Sequence, residues 1–265
     1  MKKFDSTSQV YPDLPIPFHV HRSLVLNNFV YCFGGWNNDK ISNKVFRLNL
    51  NETDLKWEEV ASMHKRRYYH GAAVINNILV VCGGYDGNKQ LSSTEYYQPE
   101  LNKWNQISSL KQARSGNQSA TSRGCLYTMG GYDGINYLSR VERLDGLDQS
   151  WNFVSSMQTS RSSFAAVACN DVIYAIGGLD NKYKVLKSVE KYNCAADKWV
   201  YVREMNIERR RHSACVMQGK IFVVGGRNAE HKPVKEIECY DPSTDRWEIV
   251  ARIDDELVSH SIVVL

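Results

Sequence analysis

The sequence predicts an all-β fold, five four-stranded sheets set as the blades of a propeller, plus an incomplete closing blade built from both ends of the chain. Three observations predict it. Glycine pairs recur at Gly34-Gly35, Gly83-Gly84, Gly130-Gly131, Gly177-Gly178 and Gly225-Gly226, at intervals of 49, 47, 47 and 48 residues. A tryptophan follows each pair, at Trp57, Trp104, Trp151, Trp199 and Trp247, spaced 47, 47, 48 and 48. No segment sustains a 3.6-residue apolar period, so helices should be minor. A repeat period near 50 residues indicates a propeller or a solenoid rather than one irregular core.

Each copy reads as four strands. The first is small and apolar, as in Phe164-Ala165-Ala166-Val167-Ala168. Dipeptides such as Asn76-Asn77 and Asn170-Asp171 then make a hairpin turn. The second strand, as in Val172-Ile173-Tyr174-Ala175-Ile176, runs into the glycine pair. A strand end needing positive φ and close backbone approach explains glycine there. A phosphate-cradling loop does not, because no G-x-x-x-x-G-K-[ST] and no following helix accompany the pairs. The third strand alternates, as in Ser188-Val189-Glu190-Lys191-Tyr192, and the fourth begins at the tryptophan, whose ring can fill the wedge between blades.

The repeats span about 18–63, 64–110, 111–157, 158–205 and 206–253 of a single domain covering 1–265. Six stretches qualify as first strands: 20–26, 69–75, 116–122, 163–169, 212–218 and 259–265. The last has no glycine pair or tryptophan after it. Segments 1–17 and 254–265 are therefore expected to share one closing position, making six and removing exposed strand edges. Five blades with a strand left over is the alternative.

Composition excludes several classes. Of 265 residues 43% are hydrophobic, which rules out a disordered or fibrous chain. No apolar run approaches the roughly 20 residues needed to cross a bilayer, and the first twenty residues lack the apolar stretch of a secretory signal. The net charge of +4 is spread along the chain. The clusters His64-Lys65-Arg66-Arg67 and Arg209-Arg210-Arg211 read as loop charges with one structural arginine each, not as a nucleic-acid-binding stripe. Seven cysteines without a C-x-x-C fit reduced thiols in a cytoplasmic protein. Sequons at Asn51 and Asn117 are read as chance matches.

A second regularity concerns charge. Arg67, Arg114, Arg161 and Arg209 each lie 16 residues before a glycine pair, and Glu95, Glu142, Glu190 and Glu238 lie 12 or 13 after the same pairs. The first copy has Phe18 and Phe46 in those two places. Charges that come and go together imply four structural ion pairs, expected to be partly buried. Three residues after the arginine place stand His21, His70, His212 and His260, with Asn117 and Phe164 completing the set. No carboxylate or cysteine joins them at ligand spacing, so they read as hydrogen-bonded structural histidines rather than a metal site; no cofactor is expected.

The runs "VEKYNCAADKW" and "IECYDPSTDRW", the glycine pairs and the elements Met63-Arg67, Met157-Arg161 and Met205-Arg209 resemble kelch repeats from about residue 18 to 265. The likeness is greatest to the kelch-like (BTB-kelch) proteins. That resemblance implies a substrate-recognition propeller of a cullin-RING ubiquitin ligase adaptor. The cullin scaffold would be reached through BTB and BACK regions, which are not visible in this sequence. Actin or cytoskeleton binding is a second implication, and a sialic-acid epimerase-type enzyme a third. The enzyme reading finds no support in the residues: G-x-S-x-G and H-E-x-x-H are absent, and repeat-equivalent residues make poor catalysts because catalysis needs one asymmetric site.

Partner contact is expected on one face, where the loops after each glycine pair meet the loops between blades. The first class offers Trp36, Tyr85, Tyr132, Tyr137, Tyr183, Arg227 and Asn228. The second offers Arg66, Tyr68, Tyr69, Asn117, Ser163, Phe164, Arg210 and Arg211. Tyrosine, tryptophan and arginine are the usual anchors of protein interfaces. The expected ligand is a protein or peptide, with neither nucleic acid nor membrane involved.

Overall fold

A computed structural model describes residues 11–37 and 40–265. Five four-stranded antiparallel sheets follow one another along the chain. Blade 1 holds Arg22–Leu26, Phe29–Phe33, Val45–Asn49 and Trp57–Val60; blade 2 holds Gly71–Ile75, Ile78–Cys82, Thr94–Gln98 and Lys103–Ile107. Blade 3 holds Gln118–Ser122, Cys125–Met129, Val141–Leu144 and Asn152–Val154. Blade 4 holds Ala165–Cys169, Val172–Leu179, Val185–Asn193 and Lys198–Val202, and blade 5 holds Ser213–Met217, Lys220–Val224, Glu236–Asp241 and Arg246–Arg252. Helical structure among the described residues is confined to one 3-10 turn, Pro99–Leu101.

Every first hairpin turns through two left-handed residues, as in Asn76 (φ 48°) and Asn77 (φ 58°) or Gln218 (φ 51°) and Gly219 (φ 73°). That backbone matches the twist of the flanking strands, and asparagine, aspartate and glycine tolerate it best. The wedges between blades fill as the tryptophans require. Trp104 packs with Tyr31, Phe33 and Tyr97 between blades 1 and 2, and its indole donates to the Ala61 carbonyl at 2.8 Å. Trp151, Trp199 and Trp247 repeat that bond on Ser108, Ser155 and Arg203.

The first strands begin about two residues later than the sequence suggests, because the residue ahead of each is left-handed. Val20, Tyr69, Gly116, Ser163, Arg211 and Ser259 have φ between 54° and 67°. Their backbones link around the axis: Gly116 N–H donates to Tyr69 C=O, Ser163 to Gly116, Arg211 to Ser163, Ser259 to Arg211 and Val20 to Ser259, at 2.7–3.3 Å. Residue 259 is joined to both blade 5 and blade 1, so the ring closes with six positions. The sixth holds residues 257–263, pinned by Ser213 Oγ–H to His260 C=O (2.6 Å) and Ser23 N–H to Ser261 Oγ (2.9 Å). Among the described residues this segment joins no sheet, so 259–265 is an inner segment and not a paired strand. The first ten residues of the expected N-terminal contribution lie outside the described residues.

The glycine pairs sit where blades converge. A Cβ on Gly34 would lie 2.6 Å from the Arg67 carbonyl and 2.7 Å from His70 Cε1 of the next blade. The second glycine of each pair also donates its N–H across the interface, as Gly35 does to Arg67 C=O and Gly226 to Leu257 C=O.

The four arginine–glutamate sets are wholly buried, with both partners at 0% exposure, which corrects the expectation of partial burial. Closest N–O distances are 2.6 Å (Arg67–Glu95), 2.7 Å (Arg114–Glu142), 3.0 Å (Arg161–Glu190) and 2.6 Å (Arg209–Glu238). Burial pulls each guanidinium below the usual arginine range, and the carboxylate opposes that pull. Each glutamate also accepts two backbone N–H groups from the loop entering its blade, as Glu190 does from Gln158 (2.6 Å) and Thr159 (3.1 Å). Each arginine donates to the carbonyl of the first glycine, as Arg161 does to Gly177. A charge pair this far from water persists because nearly all its hydrogen-bonding capacity is met.

Candidate functional site

The two loop classes meet on one face by short antiparallel bridges: His19 with Trp36, Tyr68 with Tyr85, Ser115 with Tyr132, Ser162 with Leu179 and Arg210 with Arg227. The loops entering blades 2 to 5 are each held from below by the buried glutamate that grips two of their N–H groups. The turns after the glycine pairs are shaped by one side chain each. Asp86 Oδ1 accepts from the N–H of Asn88 and Lys89, Asp133 Oδ1 from Ile135 and Asn136, and Asn228 Oδ1 from Glu230 and Lys232. The face is therefore pre-ordered, which lowers the entropy lost on binding.

Two concavities open on it. The first is the axial mouth, a space of about 30 Å³ lined by the left-handed ring together with Arg22, Gln118 and His21. Arg22 donates to the His70 carbonyl at 2.9 Å and makes no ion pair among the described residues; burial pulls its guanidinium down to about 10. Arg211 lies 5.9 Å from the Tyr69 ring centre, a cation–π contact. No aspartate or glutamate occurs in the six inner segments, so side chains make this mouth cationic.

The second is a cleft of about 550 Å³ between blades 4 and 5. Blade 4 alone continues its second and third strands past the glycine pair, through a bulge at Gly178, into a hairpin. That hairpin gives the cleft an apolar wall of Leu179, Val185 and Leu186 under Tyr183, with Arg210, Glu208 and His231 opposite. Arg210 Nη2 donates to His231 Nδ1 at 2.8 Å. A guanidinium cannot accept, so that nitrogen is unprotonated. Arg227 Nη1 donates to the His231 carbonyl at 2.5 Å and sets the same loop. Tyr183 is 74% exposed and packs edge-on against Tyr137 at 5.7 Å, which in turn meets Tyr132 at 5.2 Å. Aromatic and cationic groups around an apolar wall match peptide-binding surfaces in both size and chemistry.

Of the predicted residues, Tyr183 and Arg210 line this cleft; Tyr137 packs on Tyr183 and Tyr132 on Tyr137, Arg227 and Asn228 set the His231 turn, and Tyr69, Ser163 and Arg211 line the mouth. Tyr68 and Tyr85 form a T-shaped pair at 5.7 Å beside exposed Arg66, and Trp36 stands over His19. The placing of Asn117 and Phe164 on exposed loops is corrected: they are 0% and 1% exposed and wedged over Gly83 and Gly130 of the preceding blade, with Phe164 at the floor of the mouth. The histidines divide: His21 and His212 are hydrogen-bonded as expected, to the Phe18 and Ile176 carbonyls, and His70 and His260 are not. His70, His212 and His260 pack over Gly34, Gly177 and Gly225. Both ring nitrogens of His70 and of His260 lack hydrogen-bond partners. Burial holds His70 and His212 well below the usual range and His21 and His260 down to about 4, so all four are neutral. No group of three or more possible metal ligands forms among the described residues.

Sequence reasoning missed His231, Arg22 and the apolar wall of the cleft. Spacing gave no signal for the wall, since Leu179–Val185 in blade 4 and Arg227–Pro233 in blade 5 are both six residues apart. Nothing marked the left-handed ring, since its six residues share position but no side-chain type.

The KLHDC2/KLHL20/DRC7 Kelch-repeats domain matches residues 4–178, and the Kelch motif matches 160–206 and 208–252. The chain is 37% identical over 91 residues to Kelch-like protein 41a of Danio rerio, covering 34% of this chain and 15% of that protein. It is 38% identical over 80 residues to Kelch-like protein 35 of Mus musculus, covering 30% and 13%. With Beta-scruin of Limulus polyphemus it shares 31% over 96 residues, covering 33% and 10%. The matched stretches thus span a small fraction of these relatives. The solved structure titled "Structure of YjhT" superposes with a TM-score of 0.84 at 16% identity, over 96% of this chain and 89% of that one, a likeness of fold.

Proposed function

The chain belongs to the kelch-repeat family, and from that membership we propose that it is a protein-interaction propeller which holds a partner's peptide segment on its loop face. The observation that carries this reading is the 550 Å³ cleft, where exposed Tyr183, on a turn set by Asp180, and part-exposed Arg210, on a loop gripped by buried Glu238, stand around an apolar wall. An extended segment of a few residues fills such a volume, and the cationic mouth beside it favours acidic side chains. The kelch-like relatives support the finer reading of a substrate-recognition module for a cullin-RING ligase, whose scaffold-binding regions would lie outside these residues. Free cysteines at all seven positions suit the reducing cytoplasm.

Affinity capture from cell lysate tests this with the wild-type chain and a Tyr69→Ala/Arg210→Ala variant. A ligase substrate retained by the wild type should fall at least tenfold with the variant, at unchanged melting temperature. Equal retention by both overturns the assignment of the face. Co-sedimentation with filamentous actin, or turnover of a sialic acid, would replace the ligase reading with a cytoskeletal or an enzymatic one.

A further inference from the structure

The axial mouth holds a charge that the protein itself does not answer. Arg22 is the only charged residue at its place in the six inner segments; the equivalent places hold Gly71, Gln118, Ala165, Ser213 and Ser261. Four of those five residues are small. Blade 1 alone therefore sends a long cation toward the axis, into room that its neighbours leave. Repeat symmetry is broken at this place, as a specific site requires.

A guanidinium carries five N–H donors. Arg22 uses one of them, Nε–H, on the His70 carbonyl at 2.9 Å. Its Nη1 and Nη2 meet no acceptor among the described residues. The Gln118 carboxamide lines the same space and also makes no hydrogen bond among the described residues. The imidazoles of His21, His212 and His260 around it are neutral, and no carboxylate lines it. Burial lowers Arg22 to about 10, which leaves it charged at neutral pH.

The backbone adds a donor. Five of the six ring links are made, and the one from Tyr69 N–H to Val20 C=O is not. The Tyr69 N–H thus has no acceptor among the described residues, and the bond from Arg22 to the His70 carbonyl stands in for the absent link between blades 1 and 2. Arg211, 5.9 Å from the Tyr69 ring centre, brings a second positive charge to the same opening. Donors without acceptors and cations without a counter-charge share one space. A cation drawn out of water is costly until an anion sits beside it.

We propose that the axial mouth binds a small monovalent anion, of the size and charge of chloride, between the Arg22 guanidinium and the Gln118 carboxamide. The volume selects the size. A space of about 30 Å³ admits one or two water-sized bodies, which suits chloride and excludes a tetrahedral oxyanion. The ion neutralises Arg22 and ties blade 1 to blade 3 across the axis. Because it binds the folded chain alone, it adds to stability. The site lies apart from the cleft between blades 4 and 5 and does not rest on the peptide-binding reading.

Bromide and chloride are the probes. Crystals of the full chain soaked in sodium bromide should show an anomalous peak beside the Arg22 guanidinium; peaks elsewhere only, or none, overturn the proposal. In solution the chloride NMR line should broaden when the wild-type chain is added, and bromide should narrow it again by displacement. The excess broadening should fall at least fivefold in Arg22→Gln. That variant also loses the tie to His70, so Gln118→Leu, which keeps the tie, should lower the broadening as well at an unchanged melting temperature in chloride-free buffer. Arg246→Gln, which removes an exposed arginine of the blade 5 outer strand, should leave the broadening as it is. Broadening equal in all four proteins, or sulfate displacing chloride as well as bromide does, would mean general attraction to a basic surface and overturn the fitted site.

Discussion

Blade 1 and blades 2 to 5 solve the same packing problem with opposite chemistries. In the later blades a guanidinium and a carboxylate cross the blade with no access to water, and the carboxylate also grips two loop N–H groups. In blade 1 two phenyl rings stand in those places, with centroids 6.2 Å apart, and both are buried. The loop has changed in step. Pro15 replaces the residue equivalent to His64, so one of the donors the carboxylate would have gripped does not exist. The sixth position follows the same rule, with Leu257 where the arginine would be and no glutamate to meet it. The difference teaches that the set is exchanged whole: donor, acceptor and loop N–H together, because any remainder is a buried polar group without a partner.

The largest effect should come from breaking one set. Glu190→Ala leaves Arg161 charged and buried and orphans the N–H groups of Gln158 and Thr159. It should cost about 3–5 kcal/mol in urea denaturation, and a loss below about 1 kcal/mol would show the pair to be dispensable. Importing the blade 1 solution sharpens the point. Glu95→Phe alone should be similarly damaging, and adding Arg67→Phe should recover about half of that loss, since the uncompensated charge goes with it.

Acid tests the slot beside these pairs, which holds histidine in blades 1, 2 and 5 and phenylalanine in blade 4. The folded-state pKa of His212 lies well below the unfolded value near 6.5, so the unfolded chain binds the extra proton. Stability is then fully present above about pH 6.5 and falls as pH drops, by about 1.4 kcal/mol per unit for each such imidazole until its folded pKa is reached. His212→Phe should flatten the urea-midpoint profile between pH 6.5 and 5 by one histidine's share. An unchanged slope would mean that His212 takes up its proton while folded.

The smallest effect belongs to the aromatic pair. A double-mutant cycle on Phe18 and Phe46 should give a coupling of about 0.5–1.5 kcal/mol, indifferent to salt and pH. Equal coupling in the Phe18/Phe46 and Arg161/Glu190 cycles would erase the contrast between the blades.

Much of this was legible because it repeats. Glycine pairs and tryptophans mark blade boundaries since both act through bulk and backbone freedom, which residue identity reports directly. The arginine–glutamate sets were legible through their joint absence from the first copy. Depth of burial was not, because it depends on the neighbouring blade's glycine and not on the local sequence. The same cause defeated Asn117 and Phe164: they stand in loop-like sequence beside real surface residues, and only the close approach of the preceding blade hides them. The cleft was half legible. Tyr183 and Arg210 stood out as residue types, but their meeting depends on the blade 4 hairpin rising past Gly178, which alternation alone does not reveal.

The left-handed ring has one electrostatic consequence. Five of its six links run head to tail, from Val20 round to Tyr69, so most of their dipoles cancel in the plane instead of adding along the axis as they do in a helix. The scaffold therefore contributes little field of its own to the opening it encloses. Whatever sign of charge an approaching molecule meets there is decided by Arg22 and Arg211; exchanging Arg211 would retune attraction without loosening the circle, whereas exchanging Arg22 would also remove its bond to the His70 carbonyl of the next blade.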